Sequence, residues 1–310
     1  MTSGALTDGT KAVYSTANLA YARFGQFIRS GSSPIPRAEK FLLFIVYLAQ
    51  VCNLAYSTIK VYAAGVRSQI MRTGHADPTL RNGQKCYQYK LLMRGIQRDT
   101  AARVVRTRAP LTKDRLRKVL KAIPKLNITV LDRLRLKAAV LLAFWGLFRS
   151  ASFCGVSSVL KRQDIIFKTP RAGKRYLVAY LRKSKTVQFH PVRVYIYANV
   201  SALLCPFKAV AKFYAATKTL ASPRSSVFAL PGNPLTLARF NSLLKAAIRK
   251  AGLNPNLYSS HSLRAGAATT AANSGVPPYM IKKLGRWASD AYTIYIKDPQ
   301  RGVLSAQNMM

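Results

Sequence analysis

HSLRAGAATTAANSGVPPYMIKKLGRWASDAYTIY, residues 261–295, is the most informative stretch of this chain. It places His261 and Arg264 three residues apart, a spacing that a helix would bring to one face near its N-terminus. A Gly-Arg-Trp triplet follows, and then two tyrosines, Tyr292 and Tyr295, at the same spacing. Arginine offers a planar fork of donors for phosphate oxygens, histidine moves protons near neutral pH, and tyrosine can act as a nucleophile. These residue types therefore indicate phosphoryl-transfer chemistry, at a helix N-terminus that also favours a bound phosphate.

The same stretch and the serines before it predict three helices. A serine pair at 259–260 can cap the first helix, which would run through the alanine-rich segment to about Gly275. A proline pair at 277–278 suits the start of a second helix, which Gly285 would end. Ser289 can cap a third helix, on which the two tyrosines would share one face.

The H-x-x-R pair and the segment G-R-W-x-S-D-A-Y-x-x-Y-I resemble the C-terminal half of a tyrosine recombinase (phage integrase) catalytic domain. They look most like the recombinases of Crypton and DIRS-type mobile elements. The resemblance implies that a tyrosine attacks one DNA strand, forms a 3′-phosphotyrosyl link and passes the strand to a new partner. It also implies that the reaction needs no metal and no nucleotide cofactor.

Two further elements of this family have matches earlier in the chain. The G-L-F-R that ends a long apolar segment is similar to the family's G-L-R box, so the resemblance makes Arg149 a clamp on the scissile phosphate. The chain departs from the family at Ser152, where many members have an acid that orients other catalytic groups. A lysine between two predicted strands matches the family's general acid. Lys185, in S-K-T, is the closer match, and Lys183 is the alternative.

The resemblance thus assigns six residues to an active site, with two arginines on the non-bridging oxygens and the lysine protonating the 5′-oxygen leaving group. The histidine would act as a general base or as a donor to the phosphate, and the tryptophan N–H would bind a phosphate oxygen. The predicted set is Arg149, Lys185, His261, Arg264, Trp287 and Tyr295. Tyr295 is preferred as the nucleophile because the Tyr-Ile-Lys that begins there fits the family ending. Tyr292 is the alternative nucleophile, or else a core or phosphate-binding residue.

Composition points to a polyanionic partner. The 310 residues include 50 Lys and Arg but only 9 Asp and Glu, a net charge of +41. Such a charge indicates a polyanion, most simply nucleic acid, and the scarcity of acids disfavours a carboxylate-bound metal. The four cysteines are far apart and predict neither a zinc module nor a disulfide framework. The apolar runs are too short to span a bilayer, so no membrane partner is expected.

Patterning predicts a mainly α (α+β) fold of two domains, similar to that of the tyrosine recombinases. Residues 1–108 would form a helical, SAM-like core-binding domain that contacts DNA. Residues 109–310 would form a mixed α/β catalytic domain with a small antiparallel sheet, after a basic, proline-bearing boundary.

The N-terminal 12 residues are expected to be loose, and four helices should follow. Their predicted spans are 16–29, 38–50, 57–73 and 87–100. The first helix has amphipathic spacing of four apolar residues and the third is expected to turn three inward: Leu19, Phe24, Phe27 and Ile28, and Val61, Ala64 and Ile70. Six cations on the last two helices together predict a surface that tracks phosphates: Lys60, Arg67, Arg72, Lys90, Arg94 and Arg98.

The family resemblance implies a homo-oligomer, a tetramer acting on two double-stranded DNA duplexes. Two other functions fit the same residues: a domesticated or decayed copy that binds DNA without catalysis, and DNA relaxation of the type IB topoisomerase kind. A DNA substrate places the protein in the nucleus of a eukaryote, or otherwise in a cytoplasmic nucleoid.

Overall fold

A computed structural model of the chain describes residues 6–28, 35–101, 108–155, 160–182 and 191–295. The chain divides between Val105 and Arg106 into two compact units, the N-terminal unit and the C-terminal unit. The sequence placed the boundary between residues 108 and 109, and the roles of the two domains stay predictions.

Helices and one short hairpin form the N-terminal unit. Their bounds are α1 Asp8–Phe27, α2 Arg37–Gln50, α3 Tyr56–Arg72, β1 Leu80–Arg81, β2 Gln84–Lys85 and α4 Tyr87–Ala101. The core centres on α2, in which Phe41, Phe44, Ile45 and Leu48 are at most 1% exposed. These residues follow the i, i+3, i+4, i+7 spacing that puts apolar side chains on one helix face.

The first helix differs from its prediction in where it starts and in which side chains it buries. Residues 8–12 are helical rather than loose, because the Thr7 side chain caps the helix and accepts from the Thr10 backbone N–H at 3.3 Å. Leu19 and Phe27 are 60% and 74% exposed, so the prediction that they face inward is wrong. Phe24, also in the predicted apolar set, is 4% exposed and confirms that part of the prediction, and Ala17 is buried as well.

The third helix buries part of its predicted face, since Ile70 is 6% exposed but Val61 is not buried. Val61 is 42% exposed, whereas Ile59, Ala63 and Val66 are buried in the core. Arg67, one of the predicted phosphate-tracking cations, instead donates from Nε to both carboxylate oxygens of Asp77 at 2.8 Å. Its guanidinium holds the pKa of that carboxyl below its usual range.

The C-terminal unit is helical around one three-stranded sheet. Its elements are α5 Lys113–Ala122, α6 Val130–Trp145, β3 Ile165–Lys168, β4 Tyr176–Leu181, β5 Val192–Tyr197, α7 Pro206–Ala216, α8 Leu237–Lys250, α9 Ser260–Asn273, α10 Pro278–Gly285 and a 3-10 helix Asp290–Tyr295. The strands are antiparallel in the order β3-β4-β5. The predicted fold class, mainly α with a small antiparallel sheet, is confirmed.

The central helix of this unit is α6, which is surrounded by protein along its second half. Every residue from 138 to 144 is at most 2% exposed, and a helix that is apolar on all sides belongs in a core. Among the described helices, none has both the length and the apolar character that a membrane span requires. The buried helix carries the G-L-F-R segment to the centre of the unit.

The segment before α5 is bound to the N-terminal end of α9. The Ala109 N–H donates to the Leu257 carbonyl at 2.7 Å, and the Leu111 N–H donates to the Ser262 carbonyl at 2.9 Å. Gly266 of α9 allows this approach, because a Cβ atom there would lie 2.0 Å from the Leu111 carbonyl oxygen. Any side chain at Gly266 would therefore push the segment away from α9.

We expect Gly266→Ala to lower the free energy of unfolding by about 1–3 kcal/mol, since overpacking against backbone leaves no flexible atom to move. Urea denaturation followed by circular dichroism measures the effect. The matched control is Gly95→Ala in α4, where an added Cβ meets nothing within 4 Å. That control should be neutral or stabilising by up to about 1 kcal/mol. Equal stability of the two variants would contradict the close approach.

Candidate active site

The N-terminal end of α9 places the H-x-x-R pair. Ser259 is the N-cap, and its backbone N–H donates to the Ser262 hydroxyl at 3.1 Å, which fixes the first turn. His261 lies in that turn with an exposed side chain, whereas Arg264 is only 1% exposed. The predicted helix is confirmed, and its two functional candidates have different surroundings.

The Arg264 guanidinium joins two helix ends. Its Nη1 donates to the Leu147 carbonyl after α6, and its Nη2 donates to the Gly285 carbonyl at the end of α10. The last carbonyls of a helix have no partner within the helix and carry partial negative charge, so a buried cation suits them. The same guanidinium lies 4.3 Å from the centre of the Trp287 ring.

The turn after α6 has a backbone conformation that is uncommon for its residue. Leu147 has φ +47°, in the left-handed region. The Phe148 N–H donates to the Ala143 carbonyl at 3.0 Å, and the Leu147 N–H donates to the Phe144 carbonyl at 3.1 Å. These two bonds form a Schellman motif that ends α6. Two arginines bind the carbonyls of this turn, and they offset the cost of a leucine in this conformation.

The second of those arginines is Arg286, in the Gly-Arg-Trp triplet. It ends α10 with φ +56°, and its Nη2 donates to the Gly146 carbonyl at 2.9 Å and the Leu147 carbonyl at 3.1 Å. Its guanidinium also lies 5.1 Å from the centre of the Phe148 ring. Burial lowers the pKa of Arg286 to about 10, with a smaller effect from nearby Arg149, so it stays charged at neutral pH.

Each residue of the Gly-Arg-Trp triplet therefore has a structural task. A Cβ at Gly285 would lie 1.6 Å from a ring atom of Trp287, so only glycine lets the indole fold back over the helix end. Trp287 is 8% exposed and stacks against Arg264. The sequence pattern identified the Gly-Arg-Trp triplet but predicted no role for Arg286.

Arg149 follows the bound turn directly. It is half-buried, it has extended backbone dihedrals, and it caps a short 3-10 helix, Ser150–Ser152. It lies close enough to His261 and Arg286 to lower the pKa of both. Ser152, which stands where the resembled family often has an acid, is buried, and its carbonyl accepts from the Leu160 N–H at 2.9 Å.

Burial and three arginines lower the pKa of His261 below 6.5. Although part of its surface is exposed, the imidazole lies among enough protein atoms that desolvation is the largest cause. The guanidiniums of Arg264, Arg149 and Arg108 add to it in that order. A cation next to imidazole disfavours its protonated form, so His261 is neutral at pH 7 and able to accept a proton.

Arg108 belongs near this site because of the backbone pairing of the segment that follows it. The hydrogen bonds of Ala109 to Leu257 and of Leu111 to Ser262 bring it near the start of α9. In the sequence, Arg108 belongs to the basic boundary between the two predicted domains. Only the long-range pairing connects it to His261.

The two tyrosines of the predicted third helix lie on a 3-10 helix, Asp290–Tyr295. Tyr292 is 8% exposed, and its ring centre lies 6.1 Å from that of Trp287. This position favours the interpretation of Tyr292 as a core residue. Tyr295 is the last residue that the structure describes, and only its backbone is described. Lys183 and Lys185 also lie outside the described residues.

We expect Arg264→Lys to destabilise the C-terminal unit by at least about 2 kcal/mol. Lysine keeps the charge, but it cannot donate to two separate carbonyls in one plane, and hydrogen bonds to charged groups contribute about 1.5–3 kcal/mol each. Urea unfolding followed by tryptophan fluorescence measures the loss, since both tryptophans, Trp145 and Trp287, belong to this unit. Arg249→Lys on the exposed surface of α8 is the control and should change little. Equal stabilities would mean that Arg264 does not hold the two helix ends.

We expect Arg149→Gln to raise the pKa of His261 towards 6.5, because the substitution removes a neighbouring positive charge. A titration of the imidazole resonances by NMR measures this pKa, and the chain has only 3 histidines to assign. Arg249→Gln is the control and should leave the pKa unchanged. An unchanged His261 pKa in Arg149→Gln would mean that Arg149 lies away from His261, and it would contradict the shared site.

Arginines that converge near a tyrosine-bearing helix are residue types that phosphoryl transfer uses. The model of the phage integrase family matches residues 110–300. The chain therefore belongs to the phage integrase family, the tyrosine recombinase enzymes. Among curated proteins, none matches this chain significantly.

Solved structures of tyrosine recombinases share the fold along almost the whole chain. The XerH site-specific recombinase, bound to palindromic difH substrate in a post-cleavage complex, has a TM-score of 0.65 at 16% identity, covering 96% of this chain and 79% of that one. The Tn1549 transposon integrase with transposon right end DNA has a TM-score of 0.60 at 15% identity, covering 99% and 94%. A lambda integrase dimer bound to a COC′ core site has a TM-score of 0.58 at 18% identity, covering 96% and 92%. The predicted tyrosine recombinase-like fold is confirmed.

Proposed function

We propose that this chain is a site-specific DNA recombinase of a mobile element, which cleaves and rejoins DNA strands through a 3′-phosphotyrosyl intermediate. The observation that carries the proposal is the junction of Arg264 with the two helix ends, because it gathers Arg149, His261 and Trp287 around one centre. In the sequence, Trp287 comes shortly before the 3-10 helix on which Tyr295 lies.

The proposed cleavage is a direct transfer of one phosphodiester. The Tyr295 phenol oxygen attacks phosphorus, the bond from phosphorus to the 5′-oxygen breaks, and the 3′-phosphate stays on the tyrosine. Lys185, or Lys183 in its place, gives a proton to the leaving 5′-oxygen. His261, neutral at pH 7, accepts the phenol proton or binds a phosphate oxygen. Attack by a 5′-hydroxyl on the phosphotyrosine reverses the steps and rejoins a strand.

The proposed role of the arginines is to stabilise charge that grows in the transition state. Arg149 and Arg264 would bind the non-bridging oxygens, and the Trp287 N–H would add a third donor. A guanidinium has five N–H donors, and the Leu147 and Gly285 carbonyls each accept from one nitrogen of Arg264. Positive charge close to a phenol also stabilises the phenolate, which lowers the pKa of the phenol from its ordinary value of about 10.

Double-stranded DNA is the proposed substrate, and a homotetramer on two duplexes is the proposed active assembly. The net charge of +41 supports a polyanionic partner. The structural relatives support DNA, since the XerH, Tn1549 and lambda proteins are all described in complex with it. A mobile-element origin of the Crypton or DIRS type rests on the resemblance of the C-terminal motifs, and the transposon integrase among the relatives is consistent with it. In a eukaryotic host the substrate places the protein in the nucleus.

A second candidate is a DNA-binding protein that has lost catalysis. Ser152 favours it, because a buried hydroxyl replaces an acid that in the resembled family orients catalytic groups. The two candidates differ in one product, a covalent bond between protein and DNA.

We expect the chain to form a covalent adduct with DNA that survives hot detergent, on supercoiled plasmid or on short nicked duplexes. Tyr295→Phe should abolish the adduct because it lacks the nucleophilic oxygen. Tyr292→Phe is the matched control and should retain most of it, since a buried phenylalanine preserves the contact with Trp287. Gel migration of labelled DNA with protein measures both variants.

Loss of the adduct in Tyr292→Phe alone would contradict the assignment of the nucleophile. Salt-sensitive DNA binding without any adduct would favour the non-catalytic protein. Relaxed circles as the only product would favour a type IB topoisomerase activity, whereas exchanged strands would support the recombinase.

A further inference from the structure

One face of the three-stranded sheet is rich in tyrosine and open to solvent. Along β5, Val194 and Ile196 are buried, whereas Tyr195 and Tyr197 point the other way and are 51% and 57% exposed. Alternation of this kind is expected when one sheet face covers a core. Tyr195 is opposite Val178 of β4, which is only 4% exposed, yet about half of each outward tyrosine remains in contact with solvent.

The strand register gathers the other outward residues around these two rings. Tyr176 of β4 is opposite both Lys168 of β3 and Tyr197 of β5, and Tyr180 of β4 is opposite Arg193 of β5. The resulting surface, called the tyrosine face, consists of Ile166, Lys168, Tyr176, Val178, Tyr180, Arg193, Tyr195 and Tyr197. Its aromatic residues therefore form one continuous patch.

Ring distances show that the tyrosines act as one patch. The Tyr176 ring centre lies 5.3 Å from that of Tyr197 and 6.1 Å from that of Tyr195, with tilted planes. The Arg193 guanidinium lies 5.3 Å from the centre of the Tyr180 ring. Cross-strand contacts of this kind stabilise a sheet. They do not explain why about half the surface of two tyrosines remains exposed.

The charge of this region is positive. Residues 160–200 contain a single acid, Asp164, which is 2% exposed and accepts from Arg182 at 2.8 Å. On the tyrosine face itself, Lys168 and Arg193 border the rings, and the exposed loop between β3 and β4 adds Arg171 and Lys174. Aromatic rings interleaved with cations, and without competing carboxylates, match a ligand that has flat apolar rings and phosphates.

We propose that the tyrosine face binds single-stranded DNA, with bases stacked on Tyr195 and Tyr197 and the phosphates beside Lys168 and Arg193. Alternate residues of a strand lie about 6.6–6.8 Å apart, so these two tyrosines give successive platforms in a row. A single strand exposes the faces of its bases, whereas a duplex hides them within its stack. The face therefore selects single strands over duplex, and base stacking on aromatics tolerates any sequence. This binding does not depend on strand cleavage.

The test is fluorescence anisotropy of the full chain with a labelled oligothymidine of about 12 nucleotides, within the range of known single-strand sites. The double variant Tyr195→Ala, Tyr197→Ala removes both platforms. Each lost stack should weaken binding about 5- to 150-fold, the equivalent of about 1–3 kcal/mol. Duplex binding by the same variant should change less than about twofold, because the cations remain.

Two controls separate stacking from charge and from folding. Tyr195→Phe with Tyr197→Phe keeps the rings and should bind oligothymidine within about twofold of the unmodified chain. An abasic oligonucleotide of the same length keeps the phosphates, and the alanine and phenylalanine variants should bind it equally. Photocrosslinking of the unmodified chain to iodouracil-containing DNA, mapped by mass spectrometry, should label Tyr195 or Tyr197, and this result needs no variant to fold.

Several outcomes would overturn the proposal. Oligothymidine binding that survives both alanine substitutions would remove the stacking role. An equal loss of duplex and single-strand binding would mean that the substitutions disturb the fold or a general electrostatic contact. Crosslinks only to residues outside the tyrosine face, or RNA bound at least about tenfold more tightly than DNA at this face, would also contradict it.

Discussion

The burial of the Arg264 guanidinium between two helix ends is the interaction on which the C-terminal unit depends. Removing a charged group from water costs several kcal/mol unless its donors find acceptors. Here the Leu147 and Gly285 carbonyls accept, the C-terminal ends of α6 and α10 supply favourable dipoles, and the Trp287 ring covers one side. Loss of this cation would take a donor from the Gly285 carbonyl and leave Arg286 as the side-chain donor to the Leu147 carbonyl, so Arg264 links α9 to the ends of α6 and α10.

This arrangement has a consequence for chemistry. Arg149 follows the turn that Arg264 holds, and it lies near Arg286 and His261. Positive groups at close range repel one another, and an anion bound among them relieves the repulsion. Burial and the same positive field lower the pKa of His261. The structure thus concentrates cations in one region, and backbone carbonyls stabilise two of them, Arg264 and Arg286.

Local signals in the sequence predicted much of this. Serine and proline at helix starts and glycine at helix ends predicted α9 and α10, and alternating apolar residues predicted the three strands. The H-x-x-R spacing needs only helical geometry to bring His261 and Arg264 near one end of a helix. What failed depends on contacts distant in sequence: Arg264 reaches Leu147 across 117 residues, and no periodicity marks that pair. Residue propensity also gives no hint that a leucine adopts a left-handed backbone, because its stabilisation comes from Arg264 and Arg286.

Contacts with other helices also decide which faces of the N-terminal helices are buried. Apolar spacing predicted the first helix and the burial of Phe24, but Leu19 and Phe27 are exposed, because the neighbouring helix decides which side chains are covered. Small residues that permit close approach carry little weight in a hydrophobicity pattern. In the C-terminal unit, Gly266 and Gly285 have the same importance, since each lets another group lie where a Cβ would be.

The central claim is that Arg264 holds the two helix ends and still serves the phosphate. The most direct test is a structure of the full chain bound to nicked DNA with orthovanadate, which takes the five-coordinate geometry of the transferring phosphorus. We expect vanadium bonded to the Tyr295 oxygen, equatorial oxygens within hydrogen-bond distance of Arg149 and Arg264, and Arg264 still bound to the Leu147 and Gly285 carbonyls. A vanadate that contacts neither arginine, or an Arg264 that leaves both carbonyls to reach it, would contradict the account.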